Sequence, residues 1–409
     1  MDNGYRVYGY RWVVLASFML INVAIQVLWI SYAPITGPAA AAYGVSDLAI
    51  GFLSMSFMIA YVPLSIPVSW LIDTVGFRKA TGFGAVLMAV FGVARGVFGG
   101  SYAAVLACTI GLAAAQPFML NAWTKVPARW FPPGERATAV GLVTLSSLVG
   151  AGVGLALTPV LTGSIPIPRV QLFYGLAAAL STLIFLVVAR ERPATPPCSP
   201  QEDERALMLD GLKHAFRVPS FRLFLVISFI GFGIFNGVTT WVESIVRPRG
   251  FSPEAAGLVG AVMLAGGVLG AVVIPAISDR VRLRLPFLLT GLTLTIPGLL
   301  GVAFALTLPL LLGSAFFLGF FLVSINPVGM QYVAEITYPT PEGTSNGLIQ
   351  LFGQGSIVFV YIMEALRTPA GSFTPALMAA GVLLALCAFL VLRMSESRAV
   401  VQTAAAAAG

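Results

Sequence analysis

The stretch "SWLIDTVGFRKATG", Ser69 to Gly82, decides the fold. A long apolar run ends here in an acid, Asp73, then Gly76, then the basic pair Arg78 and Lys79. A charge cluster closing such a run marks the point at which a helix leaves a bilayer. A second version, "PAISDRVRLRLP" (Pro275–Pro286), closes another long run, with Asp279 ahead of Arg280, Arg282 and Arg284. A further pair agrees: "RWFPPGERATAVGL" (Arg129–Leu142) and "TYPTPEGTSNGL" (Thr337–Leu348) each give a proline turn, a Glu and a Gly that opens the next run. Two paired punctuation marks at equivalent places argue for internal duplication.

Composition fits that reading. Of 409 residues, 58% are hydrophobic and 10% charged, and mean hydropathy is +0.93. A soluble chain cannot bury so much apolar surface, so the bilayer must act as solvent. The apolar runs are long and do not alternate, which excludes a β-barrel and leaves helices. The fold class is therefore an all-α membrane protein. Twelve spans are expected near 11–36, 46–71, 77–98, 101–129, 137–162, 168–190, 219–246, 253–278, 284–305, 308–336, 344–366 and 373–393. The charged, proline-rich segment Arg190–Ser220 separates six spans from six, with a short surface helix expected near Glu204–Phe216. The expected domains are a six-helix half at 1–190, a linker at 191–218 and a second half at 219–409. No cleavable leader is expected, because the first apolar run is too long for one.

Charge sets the orientation. With a cytoplasmic N-terminus, all but five of the 23 Lys and Arg residues fall on the inner side. The exceptions are Arg95, Arg169, Arg247, Arg249 and Arg367. The bias places both termini in the cytoplasm and the chain in a plasma or inner membrane, as a multi-pass protein. The net charge of +7 is explained by the inner membrane surface, not by nucleic acid. Cys108, Cys198 and Cys387 have no metal or disulfide spacing, and His214 has no partner motif. No cofactor, metal site or enzymatic constellation is expected. The expected partners are a small-molecule solute and the lipid bilayer, and the expected state is a monomer.

The acid–Gly–basic loop, the duplication and the central linker resemble the major facilitator superfamily. The chain departs from the signature loop by carrying Ser69 and Trp70 where the family usually has an early Gly. A narrower resemblance lies in "YRWVVL" (Tyr10–Leu15), "LSMSFMIAYVPL" (Leu53–Leu64), "WLIDTVGFR" (Trp70–Arg78), "AAQPFML" (Ala114–Leu120) and "EITYPTPEGTSNGL" (Glu335–Leu348). These are similar to the feline leukaemia virus subgroup C receptor-related family, which is associated with choline, ethanolamine and haem transport. The resemblance implies a facilitator fold, alternating access, and a cavity lined by spans 1, 4, 7 and 10.

The polar residues within the spans agree with such a cavity. Span 1 carries Asn22, Gln26 and Trp29 at offsets of one helical face. Span 4 carries Gln116, Asn121 and Trp123, and span 7 carries Asn236, Thr240, Trp241 and Glu243. Span 10 carries Asn326 and Gln331 around Pro327, and span 11 carries Gln350, Gln354 and Tyr361. Amides are costly against lipid, so these faces should meet protein or water. Each amide is open to two readings: interhelical hydrogen bonding or a cavity wall. Trp29 is either a cavity wall or an interfacial anchor.

No Arg or Lys lies deep in these faces, which suits a neutral solute or an ammonium over an organic anion. The alternative reading is a proton-coupled organic acid or drug transporter. A non-transporting receptor is disfavoured by the short outer loops. By the family resemblance, Trp29, Gln116 and Gln354 fall on choline-contacting positions. The family's span-7 tyrosine corresponds to Asn236 here, so an aromatic cage needs Trp241 or Tyr361. Glu243 and Glu335 are the coupling candidates. Asp73, Arg78, Lys79, Asp279 and Arg280 are candidates for a conformational latch, and Arg78 and Lys79 are equally read as topology determinants.

Overall fold

The computed structural model describes residues 6–197, 208–337 and 342–396. Among them are twelve helices long and apolar enough to cross a membrane. Spans 1 to 6 are Arg11–Tyr43, Asp47–Val75, Phe77–Val97, Tyr102–Trp130, Thr138–Thr162 and Ile167–Val188. Spans 7 to 12 are Pro219–Thr240, Pro253–Val281, Leu285–Phe304, Leu308–Ile336, Gly347–Ala365 and Thr374–Val391. The chain divides into two compact units, residues 1–205 and 206–409, each with six spans. Part of the expected surface helix is present as Met208–Arg217. Cys198, Glu204, the turn at Tyr338–Pro341 and the C-terminal tail lie outside the described residues.

Local chemistry explains where the helices start and stop. Ser46 and Ser252 stand at equivalent places and cap spans 2 and 8, each accepting from a backbone N–H three residues on, at 3.2 and 3.3 Å. Gly76 separates spans 2 and 3 at φ +91°. A Cβ there would also collide with the Glu191 carboxylate, which accepts from the N–H groups of Phe77 and Arg78. In the second unit Glu396 accepts in the same way from Arg284 and Leu285, at 3.0 and 3.1 Å. Thus a glutamate just past the last span of each unit caps the unit's third span, where a carboxylate also complements the helix dipole. Arg282 occupies the place of Gly76, at φ 57°.

The two units pack by the same plan. In the first, the main helix pairs are 3 with 6, 1 with 5, 3 with 4, and 2 with 4. In the second they are 9 with 12, 7 with 11, 9 with 10, and 8 with 10. Span 8 meets span 10 so closely that a Cβ at Gly270 would overlap the Phe320 carbonyl oxygen. Lipid supplies no hydrophobic drive between helices, so close backbone approach does that work through dispersion.

Several spans are interrupted, where the sequence suggested single rods. Span 1 runs Arg11–Ile30, passes through a tight turn at Ala33–Ile35, and resumes at Thr36–Tyr43. Span 4 stops as a helix at Leu120 and resumes at Lys125. Span 11 breaks between Gly355 and Val358. Such breaks survive in a membrane only where the freed backbone groups find partners. At span 1 the partner is a buried cation. Arg95 of span 3 donates to the Leu28 carbonyl at 3.0 Å, to Gln171 Oε1 at 2.7 Å and to Ser31 Oγ at 3.3 Å. Arg95, expected at the outer surface from charge bias, is 1% exposed.

Candidate substrate site

The polar faces divide into groups that hydrogen-bond other helices and groups that do not. Asn22 belongs to the first set. Its Nδ2 donates to Phe18 O on its own helix at 2.9 Å, and its Oδ1 accepts from Trp123 Nε1 at 2.7 Å. Asn121 accepts from the Tyr61 hydroxyl at 2.7 Å and donates to Ser65 O and Ser69 Oγ at 2.9 and 3.0 Å. It therefore ties the interrupted part of span 4 to span 2. Trp29 Nε1 donates to Ser54 O at 3.1 Å, and Ser54 Oγ donates back to Trp29 O at 3.2 Å. That reciprocal pair sets the orientation of the indole.

The second set is different. Gln26 Oε1 is sealed from solvent and has no hydrogen-bond partner among the described residues. Gln116 is buried in span 4, at 4% exposure, and no hydrogen bond to a described residue holds its amide. The Asn22–Trp123 bond ties span 1 to the interrupted part of span 4. Spans 1 and 4 run in opposite directions, with Leu28 and Leu112 both reaching Gly92. Seven residues along span 1 from Asn22 lies Trp29, and seven residues back along span 4 from Trp123 lies Gln116. Trp29 sits about 10 Å along span 1 from Asn22, and Gln116 sits about 6 Å inside the end of the helical part of span 4 at Leu120.

The second unit shows the same division. Trp241 is fully buried, donates from Nε1 to Val360 O at 3.0 Å, and packs its ring 5.6 Å from that of Phe373. It joins spans 7, 11 and 12. Asn236 is buried without a side-chain hydrogen bond to a described residue, and Thr240 Oγ1 and Ser244 Oγ are sealed and unpartnered. Glycine contacts set the register of spans 7 and 11: Gly233 faces Phe359 and Gly237 faces Met363. That spacing brings Tyr361 level with Phe235 and Asn236. Gln354 lies on the other side of the break in span 11, next to Gly353, which faces Phe232, and Gln350 lies one turn further from Tyr361. Tyr361, Gln350 and Gln354 are partly exposed, without side-chain hydrogen bonds to described residues.

The carboxylates are engaged. Glu243, 2% exposed, pairs with Arg247 at 3.4 Å. Glu335 accepts from Arg284 Nη2 at 3.0 Å and from Gln331 Nε2 at 3.0 Å, and Asp279 also binds Arg284. Burial would weaken the charge on Arg284, but Glu335 and Asp279 outweigh it and hold its pKa above the usual arginine value. Asp73 pairs instead with Lys125 at 2.6 Å, joining the ends of spans 2 and 4. Arg78, Lys79 and Arg280 are exposed. Sequence reasoning missed the Arg95–Gln171 cluster, the Tyr61 bond to Asn121, and the Glu191 and Glu396 caps. A cation inside an apolar run, as in "VARGV" (Val93–Val97), was the available signal for the first.

Twelve spans in two six-helix units, with buried amides inside the spans and an ion-paired cluster at the helix ends, are the architecture of a multi-pass membrane transporter. The family model described as Major Facilitator Superfamily matches residues 11–282 and 244–408, and the chain belongs to that superfamily. Among relatives, Solute carrier family 49 member A3 of Danio rerio is 30% identical over 425 residues, covering 96% of this chain and 89% of that protein. The Choline/ethanolamine transporter FLVCR1 of Felis catus is 30% identical over 395 residues, covering 88% and 68%. The human Choline/ethanolamine transporter FLVCR2 is 27% identical, covering 84% and 69%. The resemblance to that receptor-related family therefore holds. Among solved structures, a bacterial homologue of the human lysosomal transporter Spinster, inward-facing and unoccupied, superposes with a TM-score of 0.75 at 16% identity, covering 94% of this chain and 97% of that one. The human organic anion transporter MFSD10 gives 0.65 at 16% identity, covering 93% and 98%. These two likenesses concern the fold.

Proposed function

We propose that this superfamily member moves a small organic cation or amino alcohol, of the choline or ethanolamine kind, by alternating access. One observation carries the reading. On spans 1, 4 and 7 the buried side chains without a hydrogen bond to a described residue, Gln26, Gln116, Asn236 and Thr240, are neutral, whereas the sealed free atoms of charged groups, Arg95 Nε, Glu335 Oε2 and Glu364 Oε2, lie on spans 3, 10 and 11 and belong to side chains bonded through their other atoms. Trp29 shares a helical face with Gln26, and Tyr361 is level with Asn236, so each unit carries an aromatic ring near the depth of an unpartnered amide. Amide and hydroxyl oxygens accept from an ammonium or hydroxyl, and an aromatic face attracts a cation by about 0.5–2 kcal/mol. An organic anion would require a cation in that set. The relatives named as choline/ethanolamine transporters support the same solute class.

The transport mode proposed is uniport driven by concentration and potential, with the chain monomeric, both termini cytoplasmic, and the halves joined by the linker at 191–218. Asp73, Arg78, Lys79, Asp279 and Arg280 are proposed to latch one conformation at the cytoplasmic helix ends. The test is uptake of radiolabelled choline and ethanolamine into proteoliposomes under a negative-inside potential. Uptake of at least one is expected, and Trp29→Ala should raise KM by roughly 3- to 30-fold. Absence of uptake for both substrates would overturn the reading. A second reading, proton-coupled transport of organic acids or drugs, draws on Glu243, which is almost fully buried beside the unpartnered Ser244 hydroxyl. A pH-gradient dependence abolished by Glu243→Gln would favour it.

A further inference from the structure

We infer that the first unit holds an anionic phospholipid in a groove between spans 3 and 6, at the helix ends that carry the basic cluster. The groove has a volume of about 410 Å³ and is lined by Arg78, Lys79, Gly82, Phe83, Val86 and Leu186. Its two cations stand at one end and its apolar side chains follow one and two turns along span 3. From Arg78 to Val86 is eight residues, about 12 Å of helix. That distance carries a lipid from its headgroup phosphate into the acyl region, since the headgroup layers add only about 5–8 Å on each side of the hydrocarbon core. Phe83 and Val86 are 55% and 41% exposed, so the acyl wall is open. Gly82 keeps it open: a Cβ there would press on Leu186 at 3.1 Å.

The charges point to an anion. Arg78 and Lys79 sit in the first turn of span 3, where the helix dipole disfavours cations. Glu191 caps that turn through the backbone N–H groups, and the Arg78 guanidinium itself donates to the Leu186 carbonyl. No ion pair to a described carboxylate engages either cation. The contrast with the second unit is direct. Arg284, at the corresponding start of span 9, is buried against Asp279 and Glu335. The repeat could neutralise this position internally, and in the first unit it does not. Two unneutralised cations above an apolar groove, on the Lys- and Arg-rich side of the chain, match a phospholipid with a net negative headgroup.

The experiment is native mass spectrometry of the full-length protein in detergent, titrated with palmitoyl-oleoyl phosphatidylglycerol or with phosphatidylcholine of the same chains. One phosphatidylglycerol should be retained with about tenfold preference. Arg78→Gln/Lys79→Gln should remove the preference, and Gly82→Val, which fills the groove and leaves both cations, should lower retention itself. Inorganic phosphate at the same concentration should not displace the lipid. Equal retention of both lipids by the unaltered protein overturns the inference without reference to any variant. So does a folded double variant that keeps the preference, or displacement by inorganic phosphate, which would mark a simple phosphate site.

Discussion

At the scale of single residues, two amides in the first unit have opposite roles despite similar sequence settings. Asn22 is fully used: it accepts from the Trp123 indole and donates to its own helix. Gln116 is buried without a hydrogen bond to a described residue. Removing one member of a buried hydrogen bond strands the other, at about 1–3 kcal/mol. Asn22→Leu should therefore lower the thermal stability of the detergent-solubilised protein, leaving the choline KM of the folded fraction near that of the parent. Gln116→Leu strands nothing, so stability should hold or rise while KM increases several-fold. Differential scanning fluorimetry and uptake kinetics on the same two variants check both halves of this expectation. The helical stripe of Asn22, Gln26 and Trp29 was legible from spacing. Which member is glue and which is free depends on a tryptophan about a hundred residues away, and no local pattern carries that information.

At the scale of elements, the repeat gives matched positions with different chemistry. Gly76 and Arg282 occupy one place in the two units, both at positive φ. A residue with a Cβ is disfavoured there by about 1 kcal/mol. Arg282→Gly should raise the apparent unfolding temperature, and a fall would show that the Arg282 side chain holds the turn. The neighbouring cluster predicts the opposite sign. Arg284→Leu leaves Glu335 and Asp279 without their cation, and breaking a buried pair costs about 3–5 kcal/mol. Its thermal stability should drop steeply, with partial recovery in Arg284→Leu/Glu335→Leu. The twelve elements were visible as apolar runs. Their interruptions were not, because a break such as that after Ile30 depends on a distant group, Arg95, that bonds the Leu28 carbonyl beside it.

At the scale of the molecule, the proposed uniport of a cation makes the membrane potential the driving force. One positive charge moving inward gains about 2.3 kcal/mol per 100 mV, enough for accumulation of the order of fifty-fold. Choline accumulation in proteoliposomes should rise with a valinomycin-imposed negative-inside potential and stay level when a pH gradient is imposed. Glu243→Gln should leave that dependence in place, because its carboxylate is held by Arg247. Flat accumulation across potentials would argue for an electroneutral exchange.

Composition and periodicity determine the solvent, the helix count and the duplication, because each follows from how much apolar surface a local segment must hide and how its charges recur. "SWLIDTVGFRKATG" likewise marks a helix end on sequence grounds alone. Tertiary structure decides what its charges do. Asp73 reaches Lys125 on span 4, Glu191 caps the turn from beyond span 6, and Arg78 and Lys79 are left at a groove. Hydrogen bonds and ion pairs act over about 3 Å between side chains far apart in the chain. Only packing brings them that close.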